Sequence, residues 1–139
     1  MPVTFTRAYR FSASHRLDCA SLSAEMNRAV YGKCNNPHGH GHNYRLEVSV
    51  RGPVDAETGM VMNMADLDAA VEQAVLDRFH LTNLNNDALF GSEVPTTENL
   101  CRAIDGLLRL ALPEGRLAGV RIEETSNNFF EYVGDDERG

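Results

Sequence analysis

The sequence predicts an α+β domain: a four-stranded antiparallel sheet with two helices on one face, in the order β-β-α-α-β-β. Three observations lead there. Residues 5–11 (FTRAYRF) and 44–50 (YRLEVSV) alternate apolar and polar positions at the period of a strand. Leu67, Ala70, Val71, Ala74, Val75 and Arg78 recur at three-four spacing, and Leu100, Ala103, Ile104, Leu107, Leu108 and Ala111 do so again, as helices require. The tail adds two short strand-like runs, 117–125 and 128–133, joined around Ser126 and Asn127.

Between the first two strands, residues 18–31 lack clear periodicity and read as an excursion ending at Gly32. Residues 52–59 carry turn residues and breakers. Met60, Met62 and Met64 read as core filling, and Asn63 as the N-cap of the first helix. An Asn/Asp/Gly-rich loop over 81–95 precedes a second helix that begins near Thr96 or Thr97 and ends around Leu112 and Pro113. Cys101 reads as a plain residue of that helix, and 135–139 as a frayed terminus.

Bulk properties narrow the class. A chain of 139 residues with 42% hydrophobic content makes one domain, 1–139, with its own core. No stretch approaches the roughly 20 apolar residues of a membrane helix, so no membrane partner is expected. The first residues lack a charged-then-apolar signal pattern, and three cysteines give an odd number without framework spacing; both lead to a cytoplasmic expectation. A net charge of −7 argues against nucleic acid.

The chemistry concentrates in residues 34–44 (CNNPHGHGHNY), where three of the five histidines and one of the three cysteines fall within nine residues. On a strand, His40 and His42 point to one face, beside Gly39 and Gly41. His15 stands where the first strand should end, and antiparallel pairing would bring it opposite both. Three neutral nitrogens with an open fourth position are what a catalytic Zn2+ site requires. A structural site would call on cysteine ligands, yet Cys19, Cys34 and Cys101 are widely spaced. His38 reads as a loop residue. Cys34, in a Gly/Pro loop beside Lys33 and near a metal, is expected to have a depressed pKa; otherwise it is a small buried hydrophobe. The phase of Val120 and Ile122 puts Glu124 on the buried face, where a ligand with two N–H donors would relieve an unpaired carboxylate.

Five blocks in order, FSASHRL (11–17), GKCNNP with GHGHNY (32–44), TGMVMN (58–63), TTEN (96–99) and Glu124-Thr with Asn127-Asn128, closely resemble the 6-pyruvoyl-tetrahydropterin synthase family. That resemblance implies a zinc-dependent lyase converting 7,8-dihydroneopterin triphosphate to 6-pyruvoyl-tetrahydropterin with loss of triphosphate. His15, His40 and His42 would hold the zinc, Cys34 would act as base, and Glu124 with Thr97 and Glu98 would bind the pterin. For Thr97 and Glu98, a helix cap and a first-turn acid explain the residues equally well. The resemblance also implies trimers closing a twelve-stranded barrel, stacked as a homohexamer with sites between subunits. An anionic substrate on a chain of charge −7 needs local cations; Arg10, Arg16 and Lys33 are candidates, although compositional bias toward arginine accounts for the single lysine.

One departure stands out. Where the family carries an Asp-His pair that assists the cysteine, this chain reads His80-Leu81. His80 is a candidate replacement, oriented by Asp77 if the helix continues; a cation suiting a helix end explains His80 as well. Three further readings stay open: the related 6-carboxytetrahydropterin synthase, a dihydropterin side-chain-cleaving enzyme, and a catalytically impaired pterin-binding protein. The longer spacing of five residues between Cys34 and His40 favours the pyruvoyl branch over the carboxy branch.

Overall fold

In the computed structural model, which describes residues 2–134, the elements in chain order are β1 (Val3–His15), α1 (Ala24–Tyr31), β2 (His40–Gly52), α2 (Met64–Val71), α3 (Asp77–Phe79), β3 (Thr82–Asn83), α4 (Thr97–Ala111), β4 (Leu117–Glu123) and β5 (Phe129–Tyr132). A 3-10 turn, Gly32–Asn35, follows α1, and a π-helical turn, Glu72–Leu76, joins α2 to α3. The expected frayed segment 135–139 lies outside the described residues.

β1 and β2 pair antiparallel along their whole lengths, from Val3 opposite Gly52 to His15 opposite His40. β4 adds antiparallel to β2, and β5 to β4. Odd positions of β1 and even positions of β2 then share one face. Phe11, Tyr44, Leu46, Val48 and Val50 on that face are buried against Leu67, Val71 and Val75 of the first helical run and Leu100, Ile104 and Leu108 of α4. Each such side chain contributes about 1.5–3 kcal/mol of burial free energy. Phe11 and Tyr44 stack with ring centroids 5.0 Å apart.

The cap at Asn63 forms as the sequence predicts, whereas the cap of α4 is Thr96 rather than Thr97. Asn63 accepts from the backbone N–H groups of Ala65 and Asp66 at 2.8 and 3.2 Å. Thr96 accepts from the N–H of Asn99 at 3.2 Å.

Three expectations need correction. The sheet is five-stranded and mixed, in the order β3-β1-β2-β4-β5, rather than four-stranded and antiparallel. The added strand is two residues long and lies parallel to Ala13 and Ser14 of β1. A strand that short has no period to read; the tertiary contact makes it, with Leu81 donating its N–H to the Ser12 carbonyl at 2.6 Å. Second, the excursion after β1 contains α1, whose faces are mostly exposed, so no apolar stripe marked it. Third, of the three methionines only Met62 packs against the core, whereas Met60 and Met64 are exposed.

The excursion is held by polar side chains instead of a core. Buried Asn27 accepts from the N–H of Cys19 at 2.7 Å and donates to the carbonyls of Cys19, Leu22 and Ser23. Buried Asn35 donates to the Leu17 carbonyl at 2.7 Å and to Asp18 at 2.9 Å, while Leu17 donates its N–H to the Cys34 carbonyl at 2.7 Å. Stranding these backbone groups would cost about 1–3 kcal/mol. Asn27→Ala is therefore expected to lower the urea midpoint by an amount worth roughly 2 kcal/mol and to speed proteolysis within residues 18–31. An unchanged midpoint would show that the excursion is held otherwise.

Candidate active site

The three histidines continue the two core rows past the last apolar residue. Tyr44 is the last core position of β2 on the way to His42 and His40, and Ala13 is the last of β1 before His15. Their rings meet edge to face, with centroids 4.6 to 5.1 Å apart. One ring nitrogen from each lies within 4.8 Å of the others. Gly39, at φ 73°, brings its backbone so close to His15 that a Cβ would sit 3.0 Å from the His15 carbonyl oxygen.

His15 is only 1% exposed, and its Nδ1 lies 2.8 Å from the Pro95 carbonyl. Donation of the Nδ1 proton to that carbonyl fixes the tautomer and leaves the Nε2 lone pair free. That Nε2 is buried without a hydrogen-bond partner. A buried, unpartnered nitrogen aimed at two further imidazoles is costly unless a cation occupies the space between them. The residues therefore fit a metal ion held by His15, His40 and His42.

Around the triad stand the other predicted residues. Cys34 Sγ lies 3.8 Å from His40 Nε2. Glu124 Oε2 lies 3.8 Å from His42 Nε2, with the Glu124 side chain 17% exposed. Buried Thr97, in the first turn of α4, donates its hydroxyl to the same carboxylate oxygen. Cys34, His40 and His42 line a surface cavity of about 640 Å³, together with Arg28 and Lys33.

Burial depresses the pKa of His15 and of His42, favouring the neutral imidazoles a metal needs; the Glu124 carboxylate opposes this at His42. Cys34 goes the other way from expectation. Burial, then the charge of Glu124, pushes its thiol up, and exposed Lys33 does not offset them.

Other expected residues are not brought to this cavity. Glu98 is exposed on the first turn of α4. Asp77 does not orient His80, because α3 ends at Phe79 and His80 turns extended at ψ 128°. The His80 ring instead accepts the Ser12 N–H at 3.0 Å through Nδ1. Leu81, 79% exposed, takes φ 61°, a left-handed conformation that costs a branched residue energy. Of the candidate cations, Arg16 reaches Asp18 at 3.5 Å and the Asn35 carbonyl at 3.2 Å. Arg28 escaped the sequence reading because its helix did.

Fold and site together define an α+β domain with a cluster of three histidines, fit to hold a metal ion, at the open end of its main strand pair. The 6-pyruvoyl tetrahydropterin synthase family model matches residues 4–135, and the chain belongs to that family. The human 6-pyruvoyl tetrahydrobiopterin synthase is 47% identical over 131 residues, covering 94% of this chain and 90% of the relative. A putative 6-carboxy-5,6,7,8-tetrahydropterin synthase of Archaeoglobus fulgidus is 35% identical over 111 residues, covering 80% and 88%. The structure of Caenorhabditis elegans 6-pyruvoyl tetrahydropterin synthase superposes with a TM-score of 0.92 at 39% identity, covering 97% of each chain. Among the described residues, no helix is long and apolar enough to cross a membrane.

The depressed histidine pKa values carry a pH consequence. As pH falls through about 6.5, the unfolded chain takes up protons at His15 and His42 that the fold resists. More protons bound in the unfolded state means stability that rises with pH, so it drains away on acidification below about pH 6.5. The metal-free protein should thus show a melting temperature falling between roughly pH 7 and 5, and His15→Gln should flatten that slope. An equal slope in the variant would remove His15 as a source.

Proposed function

We propose that this protein is a zinc-dependent lyase that converts 7,8-dihydroneopterin triphosphate to 6-pyruvoyl-tetrahydropterin with release of triphosphate. The observation that carries this reading is the meeting of His15, His40 and His42 with Cys34 on one side and Glu124 on the other, in a chain 47% identical to the human synthase. The greater identity to that synthase than to the archaeal carboxy-branch protein, 47% against 35%, favours the pyruvoyl reaction.

The chain's own residues take definite parts. Glu124 accepts the paired N–H donors of the pterin ring, and Thr97 holds the carboxylate in place through its hydroxyl. Zinc bound by the triad would polarise the side-chain oxygens and stabilise charge that develops on them. Cys34 carries protons between the ring and the side-chain carbons. Its raised pKa in the chain alone keeps the thiol protonated at neutral pH, and a cation at the triad would bring it down toward working range.

The second proton carrier is His80. It does not line the cavity that holds Cys34 of its own chain, so it serves a neighbouring copy. Copies join through open sheet edges: β3 covers only two residues of β1, and β5 carries exposed Phe129. A trimeric barrel stacked as a hexamer, in the cytoplasm, is the assembly this reading requires. Leu81 favours a second reading, a pterin binder without turnover, because a leucine carries no proton.

Incubation of zinc-loaded protein with 7,8-dihydroneopterin triphosphate tests both. Triphosphate and a 6-pyruvoyl product are expected, with kcat lowered at least 100-fold in Cys34→Ala and about as much in His80→Ala. Oligomers reconstituted from mixed Cys34→Ala and His80→Ala chains should regain part of the activity, since some sites then combine two intact partners. Full activity in His80→Ala alone would discard its role, and tight binding without turnover would make the protein a binder. For the metal, zinc should raise the melting temperature of the wild type and leave His15→Ala unmoved.

A further inference from the structure

Thirteen basic residues serve a chain of net charge −7, and most of those described are engaged. Arg7 pairs with Asp68, Arg45 and Arg121 with Glu47 and Glu123, Arg78 with Asp87, and Arg102 with Glu93. Arg28 and Lys33, like Arg10, Arg51 and Arg116, have no carboxylate within ion-pair distance among the described residues, and of these five they are the two beside Cys34. Both line the 640 Å³ cavity, and no acidic side chain lines it with them. The fold puts them there: Gly32, at φ 56°, ends α1 and turns the chain, so that Arg28 from the last helical turn and Lys33 from the 3-10 turn face one space. A cation in a last helical turn suits the dipole. That accounts for Arg28 alone and not for Lys33 beyond the helix, nor for the absence of acids around both.

We infer that Arg28 and Lys33 form the subsite that binds the phosphate chain of the substrate, and that Arg28 is a specificity-determining residue for phosphorylated over unphosphorylated pterins. This rests on the proposed function for the identity of the substrate. The layout follows the substrate's own polarity. Glu124, which takes the ring, lies 3.8 Å from His42 and does not line the cavity, whereas the two cations line it together with Cys34, His40 and His42. His42 thus adjoins the ring anchor and shares a cavity with the anion anchor, and His40 and Cys34 line that same cavity, where the reacting side chain would lie. In a protein that repels anions overall, a local cation pair gives binding and steering that added salt weakens.

The test compares wild-type zinc-loaded protein with Arg28→Ala, Arg28→Lys and Lys33→Ala, all checked for unchanged melting temperature. Equilibrium binding is measured for 7,8-dihydroneopterin, for its triphosphate, and for inorganic pyrophosphate, a probe that needs no pterin pocket. Arg28→Ala should weaken the triphosphate ester and pyrophosphate by roughly tenfold, leave 7,8-dihydroneopterin unchanged, and reduce the salt dependence; Arg28→Lys should recover most of the loss. Lys33→Ala should act in the same direction. Pyrophosphate binding that depends on Arg28, with no pterin bound or turned over, would leave the anion subsite standing and remove the proposed reaction. Turnover of the triphosphate with KM indifferent to both substitutions would keep the reaction and overturn the subsite, as would pyrophosphate that fails to bind.

Discussion

The antiparallel register of β1 with β2 is the constraint on which the rest depends. It runs thirteen residues on each strand without a bulge, from Val3 opposite Gly52 to His15 opposite His40. Because side chains alternate, one register assigns every residue of both strands to a face. The row that buries Phe11, Tyr44, Leu46 and Val48 under the helices is the same row that delivers His15, His40 and His42 to its uncovered end. A slip of one residue would turn the histidines outward and expose the core at once. Core packing and site geometry are therefore two outcomes of a single pairing, and the hydrophobic stabilisation of the sheet also holds the imidazoles in place.

The second support is polar. The 24 residues between β1 and β2 bury little apolar surface, and Asn27 and Asn35 organise them through backbone groups. The Leu17 N–H bond to the Cys34 carbonyl then ties the cysteine turn to the chain just beyond His15. Hydrogen bonds locate Cys34, and sheet pairing locates the histidines.

Electrostatics link the parts. Burial, and after it the Glu124 carboxylate, raises the thiol of Cys34 and the phenol of Tyr44, and the same carboxylate opposes the depression of His15 and His42. Burial draws the histidines toward neutrality while the Glu124 carboxylate stands beside His42, a combination that suits a divalent cation. The strained Leu81 marks the other boundary of the site region. Its positive φ lets its N–H reach Ser12 and starts β3, and the His80 ring closes on the Ser12 N–H beside it. Backbone geometry is maintained there with an apolar side chain left 79% exposed.

Sequence by itself determined the two long strands, the two principal helices and the three histidines as a group, because each rests on a local period that survives without knowledge of its neighbours. Asn63 was legible for the same reason, since a cap acts within three residues of itself; at α4 the start was legible but the capping residue is Thr96, one before the expected Thr97. Tertiary structure alone decided the features whose partners are distant in the chain. β3 exists only because Leu81 meets Ser12. α1 is held by one buried asparagine rather than an apolar stripe. The supposed Asp77–His80 pair dissolves because the helix stops at Phe79. The cysteine's environment, with burial and Glu124 outweighing Lys33, depended on a carboxylate ninety residues away in sequence. Arg28 became visible only when its turn was seen to open onto the same cavity as Cys34. Periodicity reports which face a residue takes, whereas the charges and hydrogen bonds that tune a site come from chains of contact that no local pattern records.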